Sequence, residues 1–72
     1  MVRSGDRVVF KQPDGQWANK REGEESPETL HETQREAVAA ARWFLTHHCG
    51  GNLTVMDEQG RVEFSSAVQQ VR

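Results

Sequence analysis

The sequence predicts an α+β domain in which a four-stranded antiparallel sheet carries one helix on one face, in the chain order ββαββ. Three patterns support this fold class: a Pro13-Asp14-Gly15 turn signal between two short apolar stretches, a capped alanine-rich segment, and two alternating stretches separated by residues 57–60. They are typical of a hairpin, an amphipathic helix and a second hairpin, respectively. We expect the helix to cover the apolar side of the sheet.

The first hairpin is predicted to pair residues 7–12 with residues 16–21. A two-residue turn would place Trp17 on the same face as Val8, but it would put Pro13 at a position that needs an N–H group. A three-residue loop instead gives proline its preferred place in a type I turn and makes Gly15 the left-handed residue of a bulge. We favour this second register, which places Trp17 beside Val9 and Lys11.

Residues 22–28 are rich in glutamate and also contain glycine, serine and proline, so they are predicted to form a solvated acidic loop. The helix is predicted to begin at Thr33, whose side chain can cap the first free N–H groups while Glu36 completes a capping box. Gly50-Gly51 are predicted to end it, because glycine accepts the left-handed conformation there.

The second hairpin is predicted to pair residues 52–56 with residues 61–64. A loop of two or four residues would place Leu53 and Val55 on the same side as Val62 and Phe64, and this side is expected to meet the helix.

The chain has 72 residues and is predicted to be a single domain (1–72), with an ordered core over residues 7–64 and a tail over 65–72. Its net charge of −2 favours neither nucleic acid nor membrane as a partner, and its single cysteine excludes an internal disulfide. No apolar run has the length of a membrane span or a signal-peptide core, so we expect a cytoplasmic protein.

Three stretches, "GQWANKREG", "HETQREAVAAAR" and "NLTVMDEQGRVEF", resemble the three blocks of a bacterial family of short proteins known as domain of unknown function 2188. The resemblance extends from about Val8 to Phe64. It implies a compact α+β domain, and it supplies no activity or catalytic residues. Two positions depart from the family pattern: Asn19 replaces an aliphatic strand residue, and Trp43 replaces a polar helix residue.

Two tryptophans are expected to lie outside the core. In the favoured register the first hairpin is apolar on both faces, and only one of these faces can meet the helix. Trp43 lies opposite the core side of the predicted helix, close to Ala39. Tryptophan is enriched in protein interfaces. We therefore expect a protein-interaction or homodimerisation module. Its predicted partner-binding residues are Trp17, Trp43, Val9 and Ala39.

Binding of single-stranded nucleic acid is the alternative function. Trp17 shares a face with several cations of the first hairpin, and such proteins combine stacking aromatic rings with positive charges that follow the phosphate backbone. The acidic net charge and the glutamate-rich loop argue against this alternative. The residues involved would be Arg7, Lys11, Lys20 and Arg21.

No pattern of catalytic or metal-binding residues is present in the sequence. His47, His48 and Cys49 are adjacent, but neighbouring helical positions point about 100° apart and the paired cysteines of structural zinc sites are missing. The glutamates of residues 22–28 are typical of a solvated loop rather than of paired catalytic acids. We therefore expect no enzyme activity, no metal and no cofactor.

Overall fold

A computed structural model describes residues 6–48 and 50–70 of the chain. One helix packs on one face of a five-stranded mixed sheet, with strand order β3-β2-β1-β4-β5. The α+β class is confirmed, whereas the predicted four-stranded antiparallel sheet is wrong. The elements are β1 (Arg7–Lys11), β2 (Trp17–Arg21), β3 (Thr29–His31), α1 (Gln34–His47), β4 (Gly51–Met56) and β5 (Val62–Val68).

The first hairpin has the three-residue loop that the turn chemistry favoured. The N–H of Gly15 donates to the carbonyl of Gln12 at 3.0 Å, and the N–H of Gln12 donates to the carbonyl of Gln16 at 2.7 Å. Gly15 has φ of +94°, a conformation that strongly favours glycine. The resulting register pairs Lys11 with Trp17, which confirms the predicted position of the indole beside this strand.

The residues between β2 and β3 coincide with the predicted acidic loop, 22–28. After it, β3 adds an antiparallel edge strand to β2, pairing Leu30 with Ala18. This strand has only three residues and follows Pro27, so it carries too little periodic pattern to be predicted from sequence.

The helix begins as predicted, because the hydroxyl of Thr33 accepts the backbone N–H of Glu36 at 3.1 Å. Its last turn is closed by the N–H of Gly50, which donates to the carbonyl of Leu45 at 2.8 Å. Gly50 has φ of +70°, which confirms its predicted role in ending the helix.

The second hairpin closes with a three-residue loop, in which the N–H of Asp57 donates to the carbonyl of Arg61 at 2.7 Å. A register shift follows, so Met56 pairs with Val62 while Val55 pairs with Phe64. The prediction that Val62 and Phe64 share a face is therefore wrong, because a bulge turns the strand over between them. The strand also continues to Val68, beyond the predicted end of the ordered core at residue 64.

The central strand β1 joins the two halves of the sheet. It pairs antiparallel with β2 and parallel with β4, with Val9 opposite Val55. Parallel strands need a long crossover connection, and here it contains β2, β3 and α1. The core between helix and sheet is formed by Val9, Trp17, Ala37, Ala41, Leu45, Leu53 and Val55.

Candidate interaction surface

The face of the sheet that contains Trp17 is covered by the helix. Trp17 is only 6% exposed, Val9 is fully buried, and both belong to the core cluster with Ala41 and Leu45. The prediction that Trp17 and Val9 lie on a free surface is therefore wrong. The largest side chain of the first hairpin is buried on this face, where it removes the most apolar area from water.

A buried polar network lies beside this core. The guanidinium of Arg7, 4% exposed, donates to the side-chain oxygen of Asn19 at 3.3 Å and forms a 2.7 Å ion pair with Glu28. It also lies 4.3 Å from the ring centre of Phe44 on the helix. The amide of Asn19 donates to the hydroxyl of Thr29 at 3.1 Å. These contacts give partners to the side chains of Arg7 and Asn19, which share the helix-covered face with Trp17.

The four cations proposed for nucleic-acid binding do not form one surface. Arg7 is buried and paired, and Lys20 pairs with Val8 on the opposite face of the sheet. Lys11 lies 3.9 Å from Glu58, and Arg21 lies 3.9 Å from Glu24. With the indole of Trp17 also buried, the stacking platform expected for single-stranded nucleic acid is not assembled.

Trp43 and Ala39 are exposed on the helix, as the sequence predicted. The indole of Trp43 is 54% exposed and stacks on His47, with ring centres 4.4 Å apart and an interplanar angle of 20°. A ring nitrogen of His47 lies 2.9 Å from the carbonyl of Trp43. The stack of Trp43 on His47 is thus held by contacts within the last helical turns.

The opposite face of the sheet, which we call the open face, carries a row of apolar residues across all five strands. Cross-strand pairing places Leu30 beside Ala18, Ala18 beside Phe10, and Met56 beside Val62. Phe10 and Met56 follow the parallel pair formed by Val9 and Val55 and therefore adjoin each other. The apolar row consists of Leu30, Ala18, Phe10, Met56 and Val62.

The ends of the apolar row are the most exposed parts. Leu30 is 45% exposed on β3 and Val62 is 60% exposed on β5, whereas Ala18 between its two neighbours is fully buried. Charged residues are depleted at the centres of protein interfaces. On the strand positions of this face, the only charged side chain within the described residues is Lys20, in the next row beside Val8.

None of the residues of the apolar row is among the partner-binding residues predicted from sequence. Val8, Phe10 and Ala18 were recognisable as one side of the first hairpin, because they occupy alternate strand positions. The contributions of Leu30 and Val62 were hidden, since β3 was not predicted and the bulge in β5 reverses the side on which Val62 lies.

A cleft of about 470 Å³ lies between the second hairpin and the start of the helix, with Trp17 and three carboxylates in its lining. Each carboxylate already has a partner. Asp57 accepts the N–H of Arg61 at 2.9 Å, Glu58 faces Lys11, and Glu63 accepts from Gln34 at 3.0 Å. The carboxylates thus serve to close the hairpin and attach it to its neighbours.

The histidines do not converge with other ligands in the part of the chain that the structure describes. Across residues 6–48 and 50–70, no three histidine, cysteine, aspartate or glutamate side chains are grouped as a metal ion would require. Cys49, part of the histidine-cysteine cluster considered from sequence, lies outside the described residues. His31 on β3 contacts the hydroxyl of Thr29 at 2.9 Å, whereas His47 at the end of the helix contacts the carbonyl of Trp43.

Within the described ranges, no helix combines the length and the apolar character needed to cross a membrane. Comparison with curated proteins gave no match, and comparison with solved structures gave none. Residues 6–68 match a family described as an uncharacterized protein conserved in bacteria, and this range reaches the last residue of β5. The chain therefore belongs to the domain of unknown function 2188 family.

Proposed function

We propose that this protein is a small non-enzymatic interaction module that forms homodimers through the open face of its sheet. The observation that carries the proposal is the apolar row, which crosses five strands on the side without a helix. A sheet in a stable domain usually buries each apolar face against another layer. A partner protein on the open face would supply that second layer.

The small core supports the same proposal. Of the eight apolar side chains that are buried in the described residues, three are alanines, so each contributes little burial. Short domains gain little surplus stability from such cores, and association is one of the ways in which they become more stable. A second copy would bury apolar area that the monomer leaves in water.

Sedimentation equilibrium from 1 to 200 μM tests the proposal with the variant Leu30→Lys. Leu30 is exposed at the end of the apolar row, so a lysine there is hydrated in the monomer and must lose water in a dimer. We expect the wild type to associate at micromolar concentration and Leu30→Lys to shift the association at least about tenfold higher.

Ala39→Lys is the matched control, because it adds the same charge to an exposed site on the helix. It is expected to associate like the wild type. Circular dichroism should show the same fold for both variants. A wild type that stays monomeric at 200 μM would overturn the proposal, and loss of association in Ala39→Lys alone would move the interface to the surface around Trp43.

A further inference from the structure

We propose that the outer edge of β5 pairs antiparallel with the same strand of a second copy, with Ser66 of each copy at a two-fold axis perpendicular to the sheet. The inference goes beyond the proposed function, because it uses a strand edge and leaves the open face free. In the described part of the chain, β5 ends the sheet and pairs only with β4. Its other edge therefore presents unpaired N–H and C=O groups.

The two edge strands of the sheet differ in how well they resist pairing. β3 has three residues and follows Pro27, and short edge strands beside a proline are poor templates for another strand. β5 has seven residues. The bulge that leaves Glu63 without a paired residue protects its first part. Residues 64–68 contain no charged residue, glycine or proline, so this second part is open to pairing.

The direction of the backbone groups decides which residues can pair. The N–H of Asn52 donates to the carboxylate of Asp6 at 3.0 Å, and Asp6 immediately precedes β1. The backbone of Asn52 therefore points towards β1, so its pair with Ala67 is not hydrogen-bonded. The N–H and C=O groups of Ala67 consequently face the outer edge, and alternation along the strand gives Ser65 the same direction.

One register uses both of these residues and the whole unprotected stretch. With Ser66 at the axis, Ser65 of each copy faces Ala67 of the other, and the residues of each such pair exchange both of their backbone hydrogen bonds. The bulge and Glu63 lie outside the paired stretch. No two like charges face each other, because residues 64–68 are uncharged.

The apolar side chains on the helix side of β5 favour this register. Phe64 lies opposite Val55 of the core but remains 39% exposed. Pairing places it opposite Val68 of the other copy, which is only partly buried in its own chain. An aromatic ring facing a β-branched residue is a favourable cross-strand pair. The two-fold axis forms this contact twice, so both exposed rings gain cover.

The hydroxyl of Ser66 favours a second copy as the partner. Among the described residues its oxygen has no hydrogen-bond partner, although it is shielded from water. A shielded polar atom without a partner is uncommon in native proteins. The residue as a whole is half-buried, so a change of χ1 rotamer can turn the hydroxyl towards the edge. Ser66 of the second copy lies directly opposite, and facing hydroxyls hydrogen-bond to each other.

Disulfide trapping tests the register through two exposed positions, Ser65 and Ala67. Every variant carries Leu30→Lys, which weakens contact through the open face, and Cys49→Ser, which removes the single native thiol. Ser65→Cys and Ala67→Cys are oxidised separately and as an equal mixture at 200 μM. Circular dichroism checks the fold of each variant.

The two arrangements differ in the distance between the introduced thiols. Residues that face each other have Cα atoms about 5.5 Å apart, which a disulfide can bridge. Identical positions of the two copies are offset by two residues and lie about 8 Å apart, which is too far. We therefore expect the mixture to give at least about fivefold more covalent dimer than either variant alone.

Ala67→Pro tests the backbone pairing itself in the same Leu30→Lys background. Proline removes the outward N–H of residue 67, and an edge strand tolerates proline where its N–H faces solvent. We expect the dissociation constant from sedimentation equilibrium to rise at least about tenfold, with an unchanged circular dichroism spectrum. Ala67→Ser keeps the N–H group and is the matched control, which should associate like its parent.

The outcomes separate this inference from the open-face dimer. Equal trapping in the mixture and in the single variants would overturn the edge pairing, and so would an absence of trapping in the mixture. Association of Ala67→Pro at the level of Ala67→Ser would overturn it as well. These results leave the open face untouched, because Leu30→Lys is present throughout. Failure of Leu30→Lys to weaken association of the wild type would overturn the open-face dimer alone.

Discussion

The carboxylate of Glu28 lies 2.7 Å from the guanidinium of Arg7 and ties the acidic loop to the first strand of the sheet. The two partners differ in their environment, because the side chain of Arg7 is 5% exposed and that of Glu28 is 40% exposed. Removing the acid therefore leaves a buried cation with fewer partners. The pair holds the chain in the position from which β3 can add to β2.

Glu28→Ala is expected to lower the free energy of unfolding by about 2 kcal/mol, since hydrogen bonds to charged groups contribute about 1.5–3 kcal/mol. Arg7 would retain the side-chain oxygen of Asn19 at 3.3 Å as its acceptor. Urea unfolding provides the measurement. Glu24→Ala is the matched control, because Glu24 forms only an exposed 3.9 Å pair and should cost less than about 0.5 kcal/mol. Equal costs for the two variants would contradict the structural role of the Arg7 contact.

The two tryptophans are expected to respond oppositely to a polar quencher. Trp43→Phe leaves only the indole of Trp17, which is 6% exposed, so iodide should quench its fluorescence weakly. Trp17→Phe leaves only the indole of Trp43, which is 54% exposed, so quenching should be strong. Strong quenching in Trp43→Phe would contradict the burial of Trp17. In addition, Trp17→Ala should lower the free energy of unfolding by about 3 kcal/mol or more.

Replacement of Gly15 separates backbone strain from steric contact. A Cβ at Gly15 has no heavy atom within 4 Å, so Gly15→Ala should cost about 1 kcal/mol through its φ of +94° alone. D-alanine, introduced by chemical synthesis, favours positive φ and should match or exceed the stability of the wild type. Thermal unfolding measures both variants.

Gly50→Ala is expected to cost more than Gly15→Ala. Its Cβ would lie 3.0 Å from the carbonyl oxygen of Val68 and 3.1 Å from the amide nitrogen of Gln70, so the backbone after β5 would have to move. A cost no larger than that of Gly15→Ala would show that this segment yields easily.

Asp57 is expected to make stability depend on pH in the acid range. The backbone N–H of Arg61 donates to its carboxylate and lowers its pKa below the ordinary value of 3.8. Because the pKa is lower in the folded state, the carboxylate stabilises the fold above its unfolded pKa, and this contribution is lost as the pH falls through the folded pKa. Asp57→Asn should therefore reduce the loss of stability between pH 5 and about pH 2. Urea unfolding across this range is the test, and an unchanged slope would contradict the prediction.

Local chemistry made much of the fold predictable. The type I preference of Pro13 and the left-handed preference of Gly15 gave the register of the first hairpin, and Thr33 marked the start of the helix. The strand order could not be predicted from local chemistry in the same way. The parallel contact between β1 and β4 joins residues far apart in the chain, and no local pattern distinguishes it from an antiparallel arrangement.

The burial of Trp17 was harder to predict, because the face of the first hairpin that meets the helix also contains polar residues. Arg7 and Asn19 share that face with Trp17, so alternation alone made it resemble a solvated surface. Burial of Arg7 and Asn19 is favourable because the side chains of Glu28 and Thr29 pair with them. The formation of β3 brings these two partners beside the first hairpin. The exposure of Trp43 and Ala39 was predictable, since helical periodicity depends only on local geometry.

The central position of β1 also affects the order in which the domain folds during synthesis. Of the five strands of the sheet, β1 is made before the others, yet one of its two hydrogen-bonding edges receives its neighbour only when residues 53–55 have been made. Until then the inner edge of the first hairpin has no hydrogen-bonding partner strand. Folding of this domain is therefore expected to be completed only after β4 has emerged, rather than hairpin by hairpin.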